Sequence, residues 1–294
     1  EMAVREAVQS GAVQGPRMAL SGKLIWVDTP SARDYPGMFE IAHTAEEMCL
    51  AAGRQLEHGA DFIKVMATGI TTLSSENEGA DDCYFSVDAL RALVEFAHER
   101  DTKVACHAEG LEGIKTVVAA GTDSVEHGTF AEEDVLKTMA EKGTYVVPTC
   151  LVMSCFLDVP ELRESAPAYL IERFEVTKPI HCHAINTAYR LGVPIAMGTD
   201  AGAPGVFHGN NAEEVFRMVR DTGLDVEDAI AAATINAADL IGQRDCIGSL
   251  EPGKHADIVA LRSNPLENAS IFKQIDFVMK GGNVVKNALS SVSN

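Results

Sequence analysis

Four polar side chains break into or close short apolar runs of this sequence. Lys64 interrupts Phe62-Ile63-Lys64-Val65-Met66, and His107 closes Val104-Ala105-Cys106-His107. His127 closes Ser124-Val125-Glu126-His127, and Asp200 closes Ile195-Ala196-Met197-Gly198-Thr199-Asp200. Singly, each has an ordinary reading. Removing water from a lysine ammonium is costly, so Lys64 either runs its stem to a wet barrel mouth or pairs with a carboxylate. The chemical alternative is an amine that has added carbon dioxide. The cation then becomes a carbamate, whose two oxygens can bridge two divalent ions. His107 and His127 each read as a hydrogen-bonded core histidine or as a ligand, and Asp200 as a helix N-cap or as a ligand. Jointly, imidazole and carboxylate donors on different strands, aimed into one mouth, form the set that borderline divalent ions such as zinc favour.

The elements that must position them alternate between short apolar runs and long helical patterns, the signature of parallel βαβ units. Strands are predicted at Arg17–Ser21, Asp61–Ala67, Lys103–His107, Ser124–Glu126, Tyr145–Pro148 and Pro194–Thr199. Helices are predicted at Thr44–His58, Ser86–Arg100, Leu111–Ala120, Ala131–Lys142, Pro167–Leu191, Ala212–Thr222 and Val226–Gly242, with Gly59, Gly121, Gly143 and Gly192 as C-caps. The simplest architecture is α/β: a TIM-type (β/α)8 barrel with about six of its eight strands, whose active site lies at the C-terminal strand ends. Residues 1–245 form this barrel. Residues 246–294 change character, with short strands at Ala256–Leu261 and Phe277–Lys280, and read as the C-terminal part of a small β-sandwich.

The composition narrows the function. The chain has 294 residues, 46% hydrophobic and 23% charged, as in an ordinary globular protein. No apolar run approaches the ~20 residues that span a bilayer. The net charge of −19 repels phosphate backbones and anionic lipid, so neither nucleic acid nor membrane is an expected partner. The seven cysteines are scattered and form no CxxC pair. They read as small core residues of a reducing compartment, which makes the expected location cytoplasmic. The opening stretch from Glu1 is already an amphipathic helix ending at Gly11, as though the chain begins within a domain.

Ile63-Lys64-Val65-Met66-Ala67-Thr68-Gly69, Cys106-His107-Ala108-Glu109-Gly110, Ser124-Val125-Glu126-His127-Gly128 and Gly198-Thr199-Asp200-Ala201-Gly202 resemble motifs of the amidohydrolase superfamily, in its imidazolonepropionase-like and Xaa-Pro dipeptidase-like branch. The tail from Ile247 to Val259 resembles the family's closing signature, and Ala231–Ala238 the helix before it. The resemblance implies two divalent ions, zinc foremost, bridged by carboxylated Lys64. His107 and His127 would hold the more exposed ion. Asp200 would bind the buried one and act as catalytic base. Metal-bound hydroxide would then attack an amide or other C–N bond of a dipeptide, N-acyl amino acid or cyclic amide, and Asp200 would pass the proton to the leaving nitrogen.

The family's first His-x-His pair is absent where it is expected, so the resemblance implies an N-terminally truncated barrel. Such a chain is expected to be poorly stable alone and a poor catalyst. His181-Cys182-His183 cannot replace the pair, because residues i and i+2 of a helix point about 200° apart, and a helix-surface role is expected for it. Ile70 and the acidic loop to Phe85 depart from the branch and bear on substrate preference. His208, on the loop after the last strand, either contacts substrate or hydrogen-bonds that loop. Two further readings stay open. One is a non-catalytic interaction protein of the same fold, and the other is a single-metal enzyme with unmodified Lys64. The expected partner is a small amide or peptide substrate, with homo-oligomer formation left open.

Overall fold

The computed structural model describes residues 2–70 and 79–289. The acidic loop singled out above lies largely outside the described residues. The chain divides into two compact units, Glu1–Val146 and Val147–Asn294.

The first unit is a run of strands and helices. Strands β1 (Leu24–Trp26), β2 (Phe39–Ile41), β3 (Phe62–Met66), β4 (Lys103–Ala108), β5 (Ser124–His127) and β6 (Tyr145–Val147) form a six-stranded sheet in the order β2-β1-β3-β4-β5-β6. β1 pairs in parallel with β2 and β3, β3 with β4, and β4 with β5. Helices precede and follow these strands as the periodicity predicts. Ala45–Glu57 starts from a capping box, in which the Thr44 side chain accepts from the Glu47 N–H and the Glu47 carboxylate reaches back. Val87–His98 starts from Ser86, and Leu111–Ala120 and Glu133–Lys142 end on left-handed Gly121 and Gly143. One face of the sheet lies under these helices. Ile63, Val65, Val104, Cys106 and Val125 are buried there with Leu90, Leu93, Val94, Ile114 and Val117. Each such aliphatic side chain contributes ~1.5–3 kcal/mol.

The strand predicted at Arg17–Ser21 is corrected: it joins no ladder. The Asp61 N–H donates to the Leu20 carbonyl at 2.7 Å. The return bond, from the Leu20 N–H, goes to the Asp61 side chain at 2.7 Å, which ends the pairing after one residue. The sheet takes β1 and β2 instead. Each has three residues, too few for periodicity to register, and Trp26 holds them by edge-on contact with Phe39 at 4.8 Å.

In the second unit, the short helices Cys155–Asp158 and Pro160–Ser165 lead into Ala168–Arg190, followed by Glu213–Thr222, Val226–Ala233 and Ile235–Leu240. The predicted helix Val226–Gly242 is therefore broken at Thr234, whose ψ of −92° is not helical. Gly248 packs into that break, where a Cβ would lie 3.0 Å from Ile235 Cα. The predicted strand Pro194–Thr199 is reduced to a single β-bridge residue, Ile195. Beyond it, the Met197 N–H donates to the Ala232 carbonyl, and the Ile195 carbonyl accepts from the Asn236 side chain, so these groups serve the helix pair. Strands β7 (Ile258–Ala260), β8 (Phe277–Lys280) and β9 (Asn283–Asn287) form a small antiparallel sheet. The last of these was not anticipated.

Candidate active site

The register of β3, β4 and β5 sorts the candidate residues by face. Lys64 lies beside Ala105 and Ala105 beside Ser124, while Met66 lies beside His107 and His107 beside Glu126. These two rows share the face turned away from the helices. Lys64, Ala105 and Glu126 are only half-buried there, whereas the intervening residues Val65, Cys106 and Val125 are buried under the helices. Lys64 and His107 are thus two residues apart along one face, with small Ala105 next to the lysine. Glu126 precedes His127 in β5. Its carboxylate accepts from the Ser124 hydroxyl at 2.6 Å on the same face.

His107 and His127 come together. Their ring centroids lie 4.7 Å apart at an interplanar angle of 68°, and both residues are buried, at 3% and 7% exposure. His127 has φ of 72°, a left-handed conformation uncommon outside glycine. The Nε2 of His107 lies 3.1 Å from the Gly69 carbonyl. A carbonyl only accepts, so Nε2 carries the proton and the lone pair belongs to Nδ1. Among the described residues no group of three or more His, Cys, Asp or Glu side chains is arranged to hold a metal ion. The buried imidazole pair nevertheless has the donor chemistry that a borderline divalent ion takes.

Asp200 belongs to the second unit and has φ of 54°. Its carbonyl accepts from the Ala203 N–H, and the neighbouring Thr199 hydroxyl accepts from the Ala201 N–H, so a tight turn leaves Asp200 exposed. In the same unit, a buried carboxylate that the sequence did not flag grips the segment after β6. Glu214 accepts from the Cys150 N–H at 2.6 Å and the Leu151 N–H at 2.7 Å. Burial pushes its carboxyl up to about 8, the two N–H groups oppose this, and the charge of Asp200 adds to the rise. It sits in the first turn of the helix Glu213–Thr222. His181 is corrected from helix surface to core: it is fully buried, with Nε2 bonded to the Pro148 carbonyl at 2.7 Å. His183 is exposed, so the two point apart as the i, i+2 spacing requires. His208 lies exposed in a turn, its Nε2 3.7 Å from where a Gly202 Cβ would stand. Of the cysteines, Cys106, Cys150 and Cys155 are core residues, whereas Cys83 and Cys246 are exposed, contrary to expectation.

The family model of the amidohydrolase family matches residues 2–285. This chain belongs to the amidohydrolase family. Members of that family generally bind divalent metal ions. Among curated proteins, ochratoxinase of Aspergillus niger is 36% identical over 250 residues, covering 84% of this chain and 50% of its own length. The crystal structure of A. niger ochratoxinase superposes with a TM-score of 0.83 at 30% identity, over 97% of this chain and 70% of that one. A crystal structure of a Xaa-Pro dipeptidase with bound methionine in the active site gives a TM-score of 0.85 at 32% identity, over 97% of this chain and 72% of that one. Imidazolonepropionase of Geobacillus thermodenitrificans is 29% identical over 216 residues, 69% of this chain and 44% of its own. The chain spans about half the length of the curated relatives it matches. The α/β class expected from the sequence holds, and the solved relatives are TIM-type barrels with a small additional β unit. No described helix is long and apolar enough to cross a membrane.

Proposed function

We propose that this protein is a metal-dependent hydrolase of an amide or other C–N bond, acting on dipeptides, N-acyl amino acids or cyclic amides. The observation that carries the reading is the buried His107–His127 ring pair at the ends of adjacent strands. The likeness to a Xaa-Pro dipeptidase over nearly the whole chain supports it and favours peptides among the substrate classes. In this reading carboxylated Lys64, His107, His127 and Asp200 hold two divalent ions, with zinc the metal that suits imidazole donors. Asp200 enters through its motif, Gly198-Thr199-Asp200-Ala201-Gly202. Bound ions supply Lewis acidity and bring the pKa of water to ~7. His107 and His127 keep their rings fixed by burial. Asp200 accepts the proton of the attacking water and returns it to the leaving nitrogen. His208 contacts the substrate.

The same reading keeps residues 1–245 as barrel and 246–294 as the sandwich portion. It gives the protein a cytoplasmic location and a small-molecule substrate, without nucleic acid or membrane as partner. The test is hydrolysis of a panel of dipeptides, N-acyl amino acids and cyclic amides by the zinc-loaded protein. Turnover that falls to background in His107→Ala and His127→Ala is the expected result. Turnover retained in both variants overturns the assignment.

A further inference from the structure

Three buried polar side chains at the ends of β3, β4 and β5 are left over by the ligand assignment. Thr68, Glu109 and Thr129 are 0%, 1% and 0% exposed. The Thr68 hydroxyl accepts from the Glu109 N–H at 3.1 Å and donates to the Gly69 carbonyl at 2.9 Å. The Thr129 hydroxyl donates to Glu109 Oε2 at 2.9 Å, and the Phe130 N–H donates to the Glu109 carbonyl at 3.0 Å. Gly113 leaves room for this arrangement, since a Cβ there would stand 2.0 Å from Thr68 Cγ2. Glu109 is therefore fixed through its backbone and one carboxylate oxygen. The other oxygen, Oε1, lies 3.7 Å from His107 Nε2, the atom that also faces the Gly69 carbonyl. A carboxylate removed from water is a burden on folding, and an apolar residue of similar volume would serve packing as well or better. Its placement at an imidazole N–H points to work done on that imidazole.

We propose that Glu109 is a positioning residue for His107: held by Thr68 and Thr129, its carboxylate stands beside the Nε2–H that donates to the Gly69 carbonyl and, by electrostatic attraction, holds the ring that offers its other nitrogen to a divalent ion. The proposal deepens the metal-site reading above and rests on it. Carboxylates that hold a ligating imidazole in this way typically change metal affinity 10–100-fold when removed.

The experiment measures Zn2+ affinity by competition with a chromophoric chelator, and the exchangeable imidazole N–H resonances of the Co2+-loaded protein by NMR. The variants are Glu109→Gln, Glu109→Asp, Thr129→Val and His107→Ala. Thr122→Val, a buried change at the opposite end of β5, is the control. The expected result is a loss of ~10–100-fold in Zn2+ affinity for Glu109→Gln, partial recovery in Glu109→Asp, a smaller loss in Thr129→Val, and none in Thr122→Val. The N–H resonance absent from His107→Ala should shift in Glu109→Gln. A purely structural Glu109 would lower the melting temperature and leave both readouts where they were. If His107→Ala loses zinc while Glu109→Gln binds it like the wild type, the role of Glu109 is wrong and the metal reading stands. If His107→Ala binds zinc like the wild type, both fall. Should Glu109→Gln fail to fold, a folded Thr129→Val with unchanged affinity and resonance overturns the proposal.

Discussion

His107 and His127 occupy positions of opposite parity in the register of β4 and β5, yet their rings meet at 4.7 Å. His107 lies beside Glu126, so His127 lies beside Ala108, and regular pleating would send its side chain under the helices. The left-handed backbone at His127, φ 72°, turns the imidazole back to the face of His107. A non-glycine residue held this way stores ~1–3 kcal/mol, which persists only where the surroundings over-determine it.

The strain itself is measurable. Gly and Ala both remove the imidazole, but only Gly relaxes at positive φ, so His127→Gly is expected to be more stable than His127→Ala by ~1–2 kcal/mol. Urea midpoints of the two metal-free variants check this. Equal midpoints would mean that the left-handed turn holds no strain.

Lys64 is expected to control metal content. Under the proposed two-ion reading, Lys64→Ala would remove a bridging carbamate and should lower both bound metal and turnover, and Lys64→Glu should recover part of the binding through its carboxylate. Metal per chain by atomic emission, with turnover on the best dipeptide of the panel, decides the point. Full stoichiometry and turnover in Lys64→Ala would eliminate the bridging role.

Glu214 gives the second unit a pH dependence of defined sign. Its folded-state value is raised from 4.5 to about 8, by burial first, so the folded protein binds the extra proton. The contribution is fully present below pH ~4.5 and is lost as pH rises through about 8. Glu214→Gln cannot ionise, but its amide nitrogen faces one backbone N–H and forfeits that bond. The variant should therefore melt below the wild type at pH 5, and the gap should narrow by pH 9. A gap that is constant with pH would contradict a protonated Glu214 at neutral pH.

How much of this was legible in the sequence depended on the range of the interactions involved. β3, β4 and β5 were readable because each is a short apolar run followed by a capped helix, and His107 and His127 fall at the ends of β4 and β5. β1 and β2 were not, because three residues carry no period and Trp26–Phe39 packing decides them. The residues 194–199 are apolar enough for a strand, but Asn236 and the Ala232 carbonyl claim their backbone groups, a long-range competition that no local pattern announces. Among site residues, His107 stood out by type. Glu109 did not, because a glutamate two residues past a strand end usually faces water, and only Thr68 and Thr129 from neighbouring strand ends make it a buried group. His181 misled for the same reason: its carbonyl partner, Pro148, is 33 residues away.

Asp200 carries the most demanding prediction. Thr199 and Ala203 fix a turn on either side of it, its φ of 54° sets it off from the preceding chain, and the residue is exposed. In the proposed site it would take the proton of the attacking water. Asp200→Asn keeps the shape and removes the basicity. Loss of a general base lowers turnover by ~10²–10⁴-fold, and that is the fall expected here. Metal content should fall less than in Lys64→Ala, since in the proposed site an amide oxygen would still coordinate weakly while the alanine would remove the bridge outright. The two variants therefore separate along different axes, one in turnover and the other in metal per chain. Steady-state kinetics and metal analysis on the same preparations read both. Near wild-type turnover in Asp200→Asn would transfer the proton to another residue, and a metal loss equal to that of Lys64→Ala would make Asp200 a ligand first and a base second.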